Sequence, residues 1–389
     1  MRNPLSKTIT QIEPSGIRTF FDIVAEMKDA ISLGVGEPDF DTPWHIREEG
    51  IYALEKGRTF YTSNAGLMEL RVEICNYLDR KLGLKYSPKE EIMVTVGGSE
   101  AIDVALRAML DPGDEVIIPQ PSYVSYLPCT RLAGGTPVIV ELKAEDKFKL
   151  TEEALKAAIT PKTKVLILPF PNNPTGAIMN YKELEKIAKI VIDNDIYVIS
   201  DEIYSELTYN GIHASIAQID GMKERTIVIN GFSKAYAMTG WRLGYAAGPH
   251  IIMEQMIKIH QYAIMCAPTN SQFAAVDALK NGDEDVARMV EAYNQRRRYL
   301  IHTFNRIGME CFEPEGAFYV FPSIRRFGMT SDEFATRLLM EEKVAIVPGT
   351  AFGNCGEGFL RVSYAYSLDN LKIALGRIEA FVNRLDIKL

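Results

Sequence analysis

Lys234 lies in Gly231-Phe-Ser-Lys-Ala-Tyr-Ala-Met-Thr-Gly-Trp-Arg-Leu-Gly-Tyr245, just after the apolar run Thr226-Ile-Val-Ile-Asn230, and Arg242 follows it by eight residues. A lysine amine, when neutral, condenses with a carbonyl. One set among small residues at the end of a strand therefore suits a covalent anchor for an aldehyde. The arginine adds a planar cation that can grip an oxyanion such as phosphate with paired hydrogen bonds. The pairing suggests amine chemistry beside an anion clamp. Taken alone, the segment also reads as two solvated charges in a loop and a helix.

Other segments carry polar residues at the ends of apolar runs. Gly97-Gly98-Ser99-Glu100 opens a helix, and its free amides with the positive end of the helix dipole make an anion site. Glycine-opened helices are common, so this turn is weak evidence alone. Asn172-Asn173-Pro174-Thr175-Gly176 offers an asparagine fixed by a proline, or else an ordinary Pro-Gly turn. Asp201-Glu202-Ile203-Tyr204 follows Ile196-Tyr-Val-Ile-Ser200. A carboxylate leaving so apolar a strand is costly unless paired, and a protonated pyridine nitrogen is a suitable partner. An arginine or a helix cap would serve Asp201 equally. Tyr204 could then bond a ring hydroxyl. Tyr123, in Pro121-Ser-Tyr123, could stack on a flat cofactor or simply join the core. Arg361, in Arg361-Val-Ser-Tyr-Ala365, could grip a carboxylate or form a surface salt bridge.

These residues need strands to hold them, and the chain supplies strands. Apolar runs alternate with amphipathic stretches, the pattern of an α/β protein with a largely parallel sheet. Ile92–Val96, Glu115–Ile118, Thr136–Val140, Lys164–Leu168, Ile196–Ser200 and Thr226–Ile229 read as strands, and Ala101–Leu110 reads as a helix. Several of the strands are apolar on both faces, as helix-covered strands should be. Beyond about residue 285 a long charged helix, Val286–Ile307, leads to a smaller unit with strands near Ala317–Phe321 and Phe359–Ser363. The expected division is 48–285 for a large domain, and 1–47 plus 286–389 for an amino-terminal arm with a small α+β domain.

Composition fits this picture. The chain has 389 residues, 47% hydrophobic and 24% charged, with a formal net charge of −8. That describes a globular protein of two or three domains and argues against nucleic-acid binding, which usually shows a basic stripe. The basic run Arg296-Arg297-Arg298 reads as a solvated helix face. No apolar run is long enough for a membrane span, and the amino terminus lacks a signal-peptide core. Five scattered cysteines without a C-x-x-C pair suit buried thiols in a reducing cytoplasm, and five histidines without ligand spacing argue against a metal.

Across nearly its whole length, from Gly34-Val-Gly-Glu-Pro-Asp-Phe-Asp-Thr-Pro43 to Arg361-Val-Ser-Tyr-Ala365, the ordered set of motifs resembles the fold type I pyridoxal phosphate aminotransferases of the aspartate and aromatic group (class I/II). The resemblance implies a three-layer, mainly parallel large domain that binds pyridoxal 5′-phosphate. It implies Lys234 as Schiff-base lysine, Asp201 on the pyridine nitrogen, and Tyr204 and Asn173 on the ring oxygen. Gly98, Ser99, Glu100, Ser233 and Arg242 would form the phosphate cup, the first three mainly through backbone amides, and Tyr123 would stack on the ring. Arg361, Asn173 and the backbone of Gly36 would hold the substrate carboxylate. Tyr61, in Tyr61-Thr-Ser-Asn-Ala-Gly66, matches a tyrosine that reaches the phosphate of the neighbouring subunit, which implies a homodimer with shared sites. Cis peptides are expected before Pro121 and Pro174. Many relatives have serine at Gly231, so one phosphate contact is expected to be missing.

The implied reaction is a ping-pong transfer from an L-amino acid to a 2-oxo acid such as 2-oxoglutarate (EC 2.6.1.-), with the freed Lys234 amine moving the α-proton. Carbon–sulfur lyases share the fold and the lysine. A noncatalytic regulator on this scaffold is the alternative from another class, disfavoured because no length remains for a DNA-binding domain. Aspartate, aromatic amino acids and N-acetylated diaminopimelate are all open as donors. Ser200–Tyr209 and Phe321–Ser331 look much like the bacterial diaminopimelate branch, a lean only.

Overall fold

The computed structural model describes residues 2–14, 27 and 29–386; residues 1, 15–26 and 28 of the expected arm lie outside them. In chain order the strands are β1 (Ile31–Ser32), β2 (Ile92–Thr95), β3 (Glu115–Gln120), β4 (Thr136–Glu141), β5 (Thr163–Leu168), β6 (Tyr197–Asp201), β7 (Thr226–Gly231), β8 (Gly244–Ala247), β9 (Tyr319–Val320), β10 (Val344–Ala345), β11 (Val347–Pro348) and β12 (Leu360–Ser363).

Seven of these form one sheet in the order β2-β8-β7-β6-β5-β3-β4, parallel except for β8, which runs against both neighbours. Successive residues point to opposite faces, and both faces are buried. Met93, Ile118, Ile167, Ile199 and Ile229 join one core with the helix Gly97–Met109. Val94, Val228 and Tyr245 join a second core on the other face, and Ile117, Leu166, Leu168 and Val198 a third. Helix, sheet and helix layers follow directly. The expected strands are all present within a residue or two. The unforeseen β8 is four residues between Leu243 and Gly248, too short and glycine-rich to stand out as a run.

Because β2 and β8 are antiparallel, the end of β2 meets the start of β8 on the same sheet edge where β3, β5, β6 and β7 end. The crevice outside the carboxyl ends of the strands, at this edge, is where ligands bind in open α/β sheets.

The remaining strands are short. β11, β12 and β9 make a three-stranded antiparallel sheet, and β1 pairs with β10 in parallel. Leu33 extends the link by donating to the Ala345 carbonyl and accepting from Ser363 N–H, both at 2.8 Å. A large apolar core joins Leu33, the helix Asp283–Arg306, the helix Ser331–Glu342 and the carboxy-terminal helix Leu368–Asp386. The long helix begins at Asp283, two residues before the expected domain boundary.

Of the arginine run on that helix only Arg298 is exposed; Arg296 and Arg297 are not part of a solvated face. Arg297 is 1% exposed, bonds the Pro314 carbonyl at 2.7 Å and Glu313 at 3.0 Å, and lies over the Tyr209 ring. Arg296 pairs with Asp39 at 2.7 Å and covers Phe40. Helical periodicity turns these guanidinium groups inward, where their stems pack and their heads find partners.

Candidate active site

A cavity of about 580 Å³ opens at the sheet edge, and its wall includes Gly36, Gly98, Ser99, Tyr123, Asn173, Asp201, Tyr204, Ser233, Lys234, Arg242 and Arg361. Eleven of the thirteen site residues expected from sequence therefore meet in one place. Glu100 and Tyr61 are the two that do not.

Asp201 closes β6 and is almost fully buried. The Tyr126 hydroxyl donates to its Oδ2 at 2.7 Å and the Ile203 N–H to its Oδ1 at 3.2 Å. Burial pushes the Asp201 carboxyl upward, the two hydrogen bonds pull it down, and adjacent Glu202 raises it again. Glu202 has its own partner in His213 at 2.9 Å. Asp201 thus faces the cavity with a phenol and an amide beside it and no cation among the described residues, a setting that favours a positively charged ring nitrogen.

Lys234 follows β7 and donates to the Gly36 carbonyl at 2.6 Å. Burial pulls its amine down to about 8; Glu37 opposes the change, while Arg361 and Arg242 favour it. At pH 7 an amine so placed is still mostly protonated, but its neutral fraction is far larger than that of an ordinary lysine, which eases imine formation and proton transfer.

The glycine turn is shaped by what lies across it. Gly97 has φ +75°, and a Cβ there would sit 2.6 Å from Arg242 Nη2. A Cβ on Gly244 would come within 2.7 Å of the Gly97 and Gly98 backbone. The turn, the guanidinium and the start of β8 thus form a tight cradle, suited to a phosphate. Gly231 pairs with Gly244 across β7 and β8, and a Cβ at Gly231 would lie 3.0 Å from the Gly244 Cα and 3.1 Å from Ile203 Cδ1. The serine of other relatives has little room here. Glu100 turns its side chain away, to His260 Nδ1 and the Val96 N–H at 2.5 Å each.

Arg361 is 4% exposed, so the salt-bridge reading of it as a surface group fails. Its Nη1 donates to Asn173 Oδ1 at 2.9 Å and its Nη2 to the Gly34 carbonyl, while its buried Nε has no partner in the described structure. The guanidinium lies over the Tyr319 and Phe352 rings, at 4.6 and 4.7 Å. Asn173 is left its amide nitrogen as a donor. Tyr123 lines the cavity, 3.2 Å from Ser99 Oγ and edge-on to Tyr126. Tyr61 is 81% exposed and outside its own chain's cavity.

The expected cis bonds before Pro121 and Pro174 are present, with a third before Pro171. Tyr126, Tyr319, Val35, Val124 and Phe352 also line the cavity and escaped sequence reasoning. Tyr126 carried a usable signal, since it stands three residues beyond Tyr123, at the start of the helix Tyr126–Leu132. Tyr319 sat within a run that reads only as a strand. The chemistry of this donor set fits pyridoxal phosphate: a buried carboxylate, a phenol, an amide donor, a poised amine and a glycine–arginine cradle. Among the described residues no cluster of His, Cys, Asp or Glu could hold a metal ion.

The family model for aminotransferase class I and II matches residues 28–378. The chain is 53% identical to the aminotransferase-named YugH protein of Bacillus subtilis, over 99% of this chain and 100% of that one. It is 47% identical to an aspartate aminotransferase of Pyrococcus abyssi, over 96% and 97%. The crystal structure of an aromatic aminotransferase from Pyrococcus horikoshii superposes with a TM-score of 0.90 at 46% identity, covering 95% of this chain and 99% of that one.

Proposed function

We propose a donor class and a set of residue roles for a chain that belongs to the class I and II aminotransferase family. The protein is a pyridoxal-phosphate-dependent aminotransferase. When bound, the cofactor supplies an aldehyde carbon that exchanges amines and a ring that takes up the electron pair left as a Cα–H bond breaks.

Lys234 is the amine that holds the cofactor and, once displaced by substrate, the base that moves the Cα proton. Its lowered pKa supports that role. Asp201 keeps a proton on the ring nitrogen, with Tyr126 fixing the carboxylate. Tyr204 and Asn173 donate to the ring oxygen, and Tyr123 stacks on the ring face. The backbone amides of Gly98, Ser99 and Glu100, with Ser233 and Arg242, hold the phosphate. Arg361, Asn173 and the Gly36 backbone take the substrate α-carboxylate. The relatives' names favour transfer over the eliminating and regulatory readings.

The donor carries an aromatic or large apolar side chain. The observation behind this is that the three cations lining the cavity are each committed: Lys234 to the cofactor, Arg242 to phosphate, Arg361 to the α-carboxylate. Among the described residues no fourth cation lines it. The apolar part of the wall includes Val35, Val124, Tyr319 and Phe352, and the last two rings lie against Arg361. No side chain of the same subunit would pair with an aspartate's second carboxylate there, whereas an aromatic ring would gain contact area.

The test is a half-reaction: holoenzyme mixed with a single donor, with no acceptor, followed by the change in cofactor absorption. Phenylalanine or tyrosine should react at least about tenfold faster than aspartate at equal subsaturating concentration. Aspartate or N-acetyl-diaminopimelate outrunning both would overturn the donor class while leaving the residue roles standing.

The protein works as a homodimer in the cytoplasm. The dimer reading is supported by Tyr61, Phe60 and Tyr262, each more than 80% exposed, and the compartment by five free cysteines. No helix among the described residues is long and apolar enough to cross a membrane. The large unit is taken as 48–285, and the second as 1–47 with 286–389.

A further inference from the structure

Tyr319 joins the two halves of the cavity. It lies on β9 opposite Ser363 of β12, so Arg361, two residues before Ser363, is its diagonal neighbour on the same face. That register puts the Tyr319 ring beneath the guanidinium, with Arg361 Cζ 4.6 Å from the ring centroid. The same ring meets Tyr204 edge-on, with centroids 5.8 Å apart, and the two hydroxyl oxygens are 2.8 Å apart. Both phenols are buried. A Cβ at residue 36 would fall 2.0 Å from the Tyr319 hydroxyl, so the loop whose carbonyl receives Lys234 can come this close only as glycine.

Two buried hydroxyls at hydrogen-bond distance must share one donated proton between them, leaving the other free to be given elsewhere. Burial raises both phenols, so both keep their protons near neutral pH. A Tyr204 that donates to the cofactor's ring oxygen must accept at its own oxygen, and the Tyr319 hydroxyl is the group in place to donate. Hydrogen bonds in such a chain polarise one another and strengthen the terminal one.

We propose that Tyr319 is a positioning residue whose hydroxyl donates to Tyr204, strengthening the hydrogen bond that Tyr204 gives to the ring oxygen, while its ring supports Arg361. This rests on the reading of Tyr204 as the ring-oxygen partner. Substrate-carboxylate recognition and the tuning of the cofactor therefore share one side chain.

The test is a pH titration of the visible absorption of the holoenzyme, on wild type, Tyr319→Phe, Tyr204→Phe and the double variant. Donation into the ring oxygen draws electron density from it and so weakens its hold on the proton of the adjacent lysine-bound nitrogen. Losing that donation moves the absorption midpoint to higher pH. Tyr204→Phe should give the full upward shift and Tyr319→Phe roughly a third of it, in line with the strengthening of about 10–30% per bond in a chain. The double variant should match Tyr204→Phe alone. With its ring retained, Tyr319→Phe should change the donor KM less than about twofold, whereas Tyr319→Leu, which removes the support under Arg361, should raise it several-fold.

An unshifted midpoint in Tyr319→Phe, with Tyr204→Phe shifted, overturns the inference alone. So does a double variant that shifts by the sum of the two, since Tyr319 would then act independently of Tyr204. A Tyr204→Phe enzyme that titrates like wild type removes the reading of Tyr204 and this inference with it.

Discussion

The two sides of the cavity are built differently. The side carrying Asp201, Lys234, Arg242 and the Gly97 turn stands on the ends of a seven-stranded sheet whose faces are both buried, and its groups are fixed by backbone geometry and glycine-tight contacts. The side carrying Gly36, Tyr319, Phe352 and Arg361 stands on strands of two to four residues, a single 3-10 turn and a loop, joined to the sheet by buried side chains. A group that must hold its place through every turnover sits at the ends of strands of four to six residues bound into one large sheet. Groups that must fit a changing substrate sit on short strands and on side chains that can be exchanged without disturbing a backbone. The contrast predicts that lesions on one side should alter the cofactor, and lesions on the other should alter substrate affinity.

The strongest challenge to that division is Lys234→Ala. With the anchoring amine and the proton-moving base removed together, kcat should fall by at least about 10⁴-fold, and the visible band of the lysine-bound cofactor should vanish. Wild-type turnover would sink the assignment outright. Next in size is Arg361→Lys on the other side. A point-like ammonium cannot reproduce the paired bonds of a guanidinium, nor its stacking over Tyr319 and Phe352, so KM for the donor should rise about 30-fold, roughly 2 kcal/mol. Cofactor affinity, read by equilibrium dialysis, should stay within about twofold of wild type. A matching loss of cofactor would erase the distinction between the two sides.

The same contrast explains what the amino-acid sequence disclosed. Asp201, Lys234 and the glycine turn were legible because each follows an apolar run, and a run of four to six residues announces both its strand and the residue after it. Arg361 was legible through its motif. Tyr319 and Phe352 were not, because an aromatic residue in a strand or loop looks the same whether it fills a core or lines a site. Their function comes from register: Tyr319 against Ser363 decides which ring lies under the arginine. Arg297 shows the converse failure, a charge read as solvated that the helix rotates into a buried site with partners 16 and 17 residues away. The small strand β8 was missed although its first residue, Gly244, closes the cradle.

Gly244→Ala is the smallest and the most discriminating change. The added methyl would sit 2.7 Å from the backbone of Gly97 and Gly98, and backbone cannot swing aside as a side chain can. The turn must shift by a few tenths of an ångström, against a β8 edge pinned by pairing to both β2 and β7. Overpacking of this kind costs about 1–3 kcal/mol, of which a share should appear as roughly tenfold weaker cofactor retention in dialysis. Substrate KM, measured with cofactor in excess, should hold within about twofold, because Arg361 lies across the cavity on β12, with Tyr319 on β9 and Phe352 in the turn Gly349–Phe352. Gly231, paired with Gly244 in register, should respond the same way to Gly231→Ser despite the extra hydroxyl it would offer the phosphate, since the Gly244 backbone and Ile203 leave that side chain little room. A Gly231→Ser enzyme that held its cofactor more tightly would show that the cradle yields, and that the cofactor side is less rigid than its packing implies.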